Sequence, residues 1–236
     1  MGRQWLQKKR EINGAKRGKM ATKIVREITV AAKAGAPDPA MNPRLALAVE
    51  TAHKQSISNE TITRAIKRGA GLTGEKIDLE LVTYEGFTPH QVPVIVECMT
   101  DNRNRTAPEI RVLFREGQLG AKIGFLFDHV GIVEATRAPA GLDLESAAIE
   151  AGAQDVEPLE EVAPGHSGGR FITDRTDLDV VMKALLTAGW KVSVSELGYV
   201  AKQDVDLPPE QRVEVESFLE ALDDHDDVHR IYTALS

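Results

Sequence analysis

The sequence has little of what marks a secreted, membrane-bound or disulfide-linked protein. Its 236 residues contain a single cysteine, Cys98, so an intrachain disulfide is excluded and a reducing, cytoplasmic environment is expected. No apolar run reaches the roughly 18 residues that a transmembrane helix requires. The N-terminal stretch lacks an apolar core, which argues against a secretory signal. Cys98 lies in an apolar, strand-like run, and we interpret it as a buried small side chain rather than a nucleophile.

Signatures of the common enzyme classes are also absent. There is no Walker A sequence, no GxGxxG turn after a strand, no GxSxG and no CxxC. His225 and His229 have metal-like i,i+4 spacing, but we place the first in a loop and the second in a strand, so the helical geometry is missing. His166 and Ser167 are adjacent and have no orienting acid, unlike a catalytic pair. We therefore expect no catalytic residue, no metal site and no cofactor.

The most informative feature that is present is a split in charge. Residues 1–76 carry 16 Lys/Arg against 6 Asp/Glu, a net charge of +10, and residues 77–236 carry 13 against 30, a net charge of −17. Charges more than about 8–10 Å apart are screened from each other at physiological salt. A basic face can therefore attract polyanions although the whole chain has a formal net charge of −7. The split favours nucleic acid or a ribonucleoprotein as partner over a small substrate or a membrane.

The basic part is predicted to form three helices. Apolar residues recur at helical spacing between residues 16 and 34, and Gly35 with two following prolines ends that helix. Asn42 before Pro43 predicts the start of a second helix, and Ser58 can cap a third, which closes at Gly69. Three helices joined by short connections predict a small bundle.

The acidic part alternates strand-like and helix-like segments. Residues 79–85, 92–99 and 123–127 are predicted strands, with a helix over 104–116. From residue 131 onward the order is βαββαβ, the ferredoxin-like pattern. A final helix and strand have no partners nearby in sequence, so we expect them to return to the first sheet. The predicted fold class is α+β, with a helical domain over 1–76, a discontinuous α/β domain over 77–130 and 206–236, and a ferredoxin-like α/β domain inserted over 131–205.

Lysines and arginines on the helical module are the candidate phosphate-binding residues, because charge neutralisation releases counterions and a guanidinium can grip two oxygens at once. The alternative is a solvated helix face, which is what most charge runs are. Two more arginines lie at a predicted strand–helix junction, where a helix N-terminus can bind an anion; pairing with local carboxylates is the open alternative there. The predicted nucleic-acid-binding residues are Lys16, Arg17, Lys19, Lys23, Arg26, Arg64, Lys67, Arg68, Arg103 and Arg105.

Several motifs together resemble those of the YebC/PmpR family. They are the long stretch AKRGKMATKIVREITVAAKAGAPDPAMNPRLALAVETA, then AIKRG at 65–69, YEGF at 84–87 and VECMTDNRNRT at 96–106. The family includes the mitochondrial translational activator of a cytochrome oxidase subunit. The resemblance runs in order over about residues 3–131, and farther on it rests on the order of elements, on AGAQDVE at 151–157 and on the ending LDDHDDVHRIYTAL.

The resemblance implies a three-domain, cytoplasmic, non-enzymatic regulator. Members have been described as DNA-binding transcriptional regulators and as ribosome-associated factors that help translation of proline-rich stretches. We favour a transcriptional regulator that binds DNA through the helical module, with a translation factor that binds ribosomal RNA as the alternative and a metal-dependent enzyme as the weakest. A monomer is favoured over an oligomer.

Three departures from the family pattern stand out. The opening Gly2-Arg3-Gln4-Trp5 is more like the YeeN branch than the usual start. Thr88 to Val92 replace a glycine-rich turn, and the turn over 117–122 is shortened.

Overall fold

The computed structural model describes residues 3–74, 79–159 and 162–236, with side chains described from Gly18 onward. The chain forms two compact units, one of Met1–Gly124 with Asp204–Ser236 and one of Phe125–Gln203. The first contains both the helical module and a four-stranded sheet. The finer division into three domains stays a prediction. None of the described helices is both long and apolar enough to cross a membrane.

The helical module consists of α1 (Arg3–Ala34), α2 (Pro43–Lys54) and α3 (Asn59–Gly69). Both predicted caps are confirmed: the side chains of Asn42 and Ser58 accept hydrogen bonds from backbone amides in the first turns of α2 and α3. The first helix begins 13 residues before the predicted start at residue 16, because the preceding stretch contains no proline and a single glycine is tolerated inside a helix. The buried residues of the bundle core are Ile28, Ala31, Ala32, Leu45, Ala48, Ala52, Ile62 and Ala65.

The first sheet has the strand order β3-β1-β2-β8, with all pairs antiparallel. Its strands are β1 (Glu80–Phe87), β2 (Pro93–Thr100), β3 (Gln118–Leu119) and β8 (Val228–Thr233). All of β2 is buried. One face packs on α4 (Arg103–Leu113) and α7 (Pro209–Asp223), where Ile110 and Leu222 are fully buried. The predicted return of the last strand to this sheet is confirmed.

One predicted strand is wrong. Residues 123–127 were expected to pair, but Gly124–Leu126 form a turn of 3-10 helix and the edge strand is β3 instead. The backbone amides of Ile123 and Gly124 both donate to Oε2 of Glu85, each at 2.8 Å, and this fixes the segment as a turn. A short apolar run cannot distinguish a strand from other buried segments by periodicity. The pairing of β3 also needs Gly86, where a Cβ would meet the carbonyl oxygen of Gln118 at 2.3 Å.

The turn between β1 and β2 is made without glycine. His90 and Gln91 both have positive φ angles, 62° and 63°, in a region that residues other than glycine rarely adopt. His90 Nε2 lies 2.7 Å from Oε2 of Glu214 on α7, which ties the turn to the packed helix. The replacement of a glycine-rich turn at Thr88–Val92 is therefore compensated by a tertiary contact.

The second unit has the order β4 (Phe127–Arg137), α5 (Leu144–Ala151), β5 (Asp155–Pro158), β6 (Ser167–Thr173), α6 (Leu178–Thr187) and β7 (Lys191–Ala201). Its strands are arranged β5-β6-β4-β7 and all pairs are antiparallel. This confirms the predicted ferredoxin-like βαββαβ unit. Phe171 and Trp190 meet edge to face in its core, with ring centroids 5.3 Å apart, as packed aromatic pairs do.

Candidate nucleic-acid interface

The cations of α1 face an acidic segment near the end of the chain, which we call the acidic loop (residues 223–227). Lys19 Nζ donates to the backbone oxygen of Asp224 at 2.8 Å. Lys23 Nζ lies 2.8 Å from the carboxylate of Asp223, whose side chain is 68% exposed. These pairs are at the surface, where such contacts contribute about 0–1 kcal/mol each. Lys19 and Lys23 are thus engaged by carboxylates, in pairs weak enough for a phosphate to exchange.

Arg26, the third of the predicted α1 cations with a described side chain, belongs to a more buried network around Asp227. The Asp227 side chain is only 3% exposed, and its Oδ1 lies 2.9 Å from Nη1 of Arg26. Its Oδ2 accepts hydrogen bonds from Oγ1 of Thr106 at 2.6 Å and from Arg105 at 2.8 Å. Burial would raise the pKa of Asp227, but the Thr106 and Arg105 hydrogen bonds and the charge of Arg26 outweigh burial and lower it. Arg26 therefore joins the helical module to the sheet of the first unit, which we call the sheet domain together with α4 and α7, and Arg105 holds the same carboxylate from within that domain.

This network corrects the prediction for Arg105. We expected its side chain beside the N-terminal amides of α4, as a contact for an outside anion. The structure instead directs its guanidinium to two carboxylates of the chain, Asp101 at 3.3 Å and Asp227. The local-carboxylate alternative applies to Arg105, because Asp101 lies one helical turn before it.

A second carboxylate with little exposure, that of Glu27 on α1, contacts both α2 and β8. Arg44 Nε donates to its Oε1 at 2.8 Å, and Nε2 of His229 lies 3.0 Å from its Oε2. The contact with His229 is electrostatic rather than a well-aligned hydrogen bond. Burial would raise the pKa of Glu27, but His229 and Arg44 together lower it to about 2.

Glu27→Gln is expected to lower the free energy of unfolding at neutral pH and to flatten the loss of stability in acid. The pKa of about 2 in the folded protein lies below the ordinary glutamate pKa of 4.5. The Glu27 contribution is therefore present above pH 4.5 and is lost as the pH falls towards 2. Its upper limit is about 3 kcal/mol. Urea titrations at several pH values measure it.

Glu216→Gln is the matched control, because Glu216 forms only an exposed i,i+4 pair with Arg212. An unchanged acid profile in Glu27→Gln would contradict the prediction.

The cations of α3 are presented differently from those of α1. Ile62 and Ala65 turn into the bundle core, and Arg64, Lys67 and Arg68 are exposed on the outer side. Arg64 pairs only with Glu60 one turn away, in a contact where the side chains are 70% and 81% exposed. Arg64 and Lys67 line a shallow groove of about 430 Å³. This face can meet a phosphate chain without rearrangement.

Arg103, the last of the predicted arginines, is the first residue of α4 and is exposed. The sequence analysis missed two further arginines, Arg111 near the end of α4 and Arg115 in the turn of 3-10 helix, Phe114–Glu116, that follows it. Within the described parts of the chain, none of the guanidinium groups of Arg103, Arg111 and Arg115 has an acidic partner. The spacing of Arg111 and Arg115 was visible in the sequence, because residues four apart on a helix are neighbours.

Lys16 and Arg17 lie on α1, but their side chains are outside the described residues. The same holds for the remaining basic residues near the N-terminus. Their role as phosphate contacts stays a prediction. Cys98 is fully buried as predicted, and burial raises its pKa to about 12. Among the described residues no group of three or more His, Cys, Asp and Glu side chains is placed to hold a metal ion.

Comparison with known proteins decides the family. A model of the "TACO1/YebC protein N-terminal domain" matches residues 2–72, and a model of the "TACO1/YebC second and third domain" matches residues 79–235. The chain belongs to the TACO1/YebC family. The resemblance inferred from the motifs is confirmed.

Relatives in the TACO1/YebC family match over the whole chain. A protein of Pseudomonas syringae pv. syringae is 54% identical and one of Bdellovibrio bacteriovorus is 44% identical, each over 100% of both chains. Both are named probable transcriptional regulatory proteins. The crystal structure of a conserved hypothetical protein of Aquifex aeolicus is similar with a TM-score of 0.80 and 36% identity, over 93% of this chain and 90% of that one.

Proposed function

We propose that this protein is a transcriptional regulatory protein that binds DNA through its basic N-terminal helical domain. The observation that carries the proposal is the outer face of α3, where Arg64, Lys67 and Arg68 are exposed while the opposite face is buried. A row of cations that follows one helix face suits a run of phosphates. The names of the relatives, which describe transcriptional regulators, support the same class of function.

The predicted residues differ in the contacts that each must break before it can bind a phosphate. Arg64 needs only to leave an exposed pair with Glu60, and Lys67 is exposed beside it. Lys19 and Lys23 must first leave the acidic loop, and Arg26 must leave a buried carboxylate. We therefore assign first contact to α3 and a secondary, competed contact to Lys19 and Lys23. Arg26 holds the fold together and is removed from the set of phosphate contacts.

Reversing the three α3 cations, as Arg64→Glu, Lys67→Glu and Arg68→Glu, is expected to weaken DNA binding roughly a hundredfold at 0.1 M salt. If about six phosphates are neutralised, log K for the unaltered protein should fall with log salt at a slope of roughly −5. The variant should show a slope smaller in magnitude by about 3. Fluorescence anisotropy with a labelled 20-base-pair duplex, over a series of salt concentrations, measures both quantities.

A control with the same change in net charge is Arg137→Glu, Arg175→Glu and Lys202→Glu, all in the second unit. It should leave DNA affinity within about threefold of the unaltered protein. Equal loss in both triple variants, or salt-independent binding, would refute the proposal.

The second candidate function is a translation factor that holds ribosomal RNA through the same face. Arg64 and Lys67 support it equally, because guanidinium and ammonium groups contact phosphates, which RNA carries as DNA does. Backbone contact of this kind does not distinguish DNA from RNA. Co-sedimentation with ribosomes in a sucrose gradient at physiological salt, lost in the α3 triple variant, would favour this function over the first.

A further inference from the structure

The groove beside α4 contains two arginines that the fold does not use. Its volume is about 540 Å³, and both Arg111 and Arg115 line it. Both side chains are exposed. In the described portion of the chain, neither has a carboxylate partner. By contrast, two other exposed arginines on helices, Arg64 and Arg212, each pair with a glutamate one helical turn away.

The rest of the groove is apolar and aromatic. The ring of Tyr84 lines it, and so do Ala107 and Leu119. Tyr84 packs against the buried core of the sheet domain, and its hydroxyl is buried without a hydrogen-bond partner. The ring is therefore held by packing, while the polar end contributes nothing to the fold. Ala107 occupies the position on the helix face between Arg103 and Arg111, and its small side chain leaves the groove open.

A third arginine lies near the groove. At about 1.5 Å rise per residue, Arg103 stands about 12 Å along α4 from Arg111, and Arg115 follows in the 3-10 turn Phe114–Glu116 that ends the helix. Arg103 is close enough to Tyr84 that its charge opposes the rise that burial causes in the tyrosine pKa. The groove thus combines two guanidinium groups, those of Arg111 and Arg115, with the ring of Tyr84 and apolar side chains.

We propose that this groove binds single-stranded nucleic acid, with phosphates on Arg111 and Arg115 and an unpaired base against Tyr84, Ala107 and Leu119. Guanidinium groups bind phosphate oxygens in pairs, and aromatic rings stack on bases whatever their sequence. A duplex hides the faces of its bases, so the apolar part of the groove selects a strand whose bases are free. This site goes beyond the proposed function, because it lies in the sheet domain and not on α3.

Fluorescence anisotropy with a labelled 12-nucleotide oligouridine tests the proposal, since that probe has no structure of its own. Arg111→Ala with Arg115→Ala is expected to weaken its binding about tenfold and to reduce the magnitude of the salt slope by about 1.4, or 0.7 for each phosphate. Tyr84→Leu should also weaken binding about tenfold, and Tyr84→Phe, which keeps the ring, should stay within threefold. Both arginines are at the surface, so the double variant keeps the fold even if Tyr84→Leu does not.

The matched control is Arg137→Ala with Arg175→Ala in the second unit, which removes the same charge and should leave binding within threefold. Equal loss in both double variants, or unchanged binding in the Arg111 and Arg115 variant, would overturn the proposal. An equal loss of duplex binding would overturn the selection for single strands. An unlabelled 12-nucleotide oligothymidine as competitor distinguishes RNA from DNA as the source of the strand.

The outcomes also separate this site from the α3 face. The α3 triple variant should lose duplex binding and keep oligouridine binding. If the unaltered protein binds the duplex but not oligouridine, only the groove proposal fails. If it binds oligouridine but not the duplex, only the proposed function fails.

Discussion

Replacing Asp227 by alanine is expected to lower the free energy of unfolding of the first unit by about 3–5 kcal/mol, the usual cost of removing one partner of a buried ion pair. The variant leaves Arg26 and Thr106 without the carboxylate that both contact, at 2.9 Å and 2.6 Å. Because the pKa of Asp227 is lowered in the folded state, its contribution is present at neutral pH and is lost as the pH falls through that lowered value. Calorimetry, which can follow the two units as separate transitions, measures the loss.

Asp226→Ala is the control for Asp227→Ala. The two residues are neighbours, but the Asp226 side chain is exposed and only its backbone oxygen accepts from Arg26. The control should change stability by less than about 0.5 kcal/mol, as exposed substitutions usually do. Asp227→Asn keeps the shape and an oxygen for Thr106, so its loss should be intermediate. A difference below about 1 kcal/mol between Asp227→Ala and the unaltered protein would show that the network does not hold the first unit together.

Asp223→Asn with Asp224→Asn is expected to raise DNA affinity about tenfold at 0.1 M salt and to make the salt slope more negative by about 2. The reason is competition: Lys23 lies 2.8 Å from Asp223 and Lys19 lies 3.7 Å from Asp224, so phosphates must displace these carboxylates. The substitutions remove the two competing charges and leave the lysines only their contacts with backbone oxygens, which two further phosphates can displace. Anisotropy titration with the 20-base-pair duplex measures both changes.

The control is Asp204→Asn with Asp206→Asn, which removes the same charge from exposed positions of the same unit. An equal gain of affinity in this pair would mean that net charge alone sets the binding, and the competition would be refuted. No gain in either pair would place Lys19 and Lys23 outside the interface.

The sequence predicted the fold well where the stabilising contact lies within a few residues of the element it stabilises. The caps at Asn42 and Ser58 each act within three residues, and their helices begin where predicted. The return of the last strand followed from pairing, because β8 had no neighbour left in sequence. The segment at 123–127 failed because its conformation is set by Glu85, almost 40 residues earlier, and nothing near Gly124 announces that contact.

The candidate site divides in the same way. Charge counting predicted a basic module, and the exposed α3 residues Arg64 and Lys67 agree with that picture. It could not predict that Lys23 meets Asp223, 200 positions away along the chain, because charge composition contains no information on contact. Arg111 and Arg115 were overlooked although their helical spacing was visible. The sequence analysis considered only the N-terminus of α4 as an anion site on that helix, and both residues lie near its other end.

The position of β8 has a consequence for the order in which the protein can assemble during synthesis. The second unit is continuous, so it can fold as soon as Gln203 has left the ribosome, in the way that domains generally fold as units. The buried strand β2 must wait for its neighbour β8, and Arg26 for Asp227, until residues 227–233 have been made. We therefore expect the part translated first to mature last, and a nascent chain stopped before Val228 to expose apolar strand surface to chaperones.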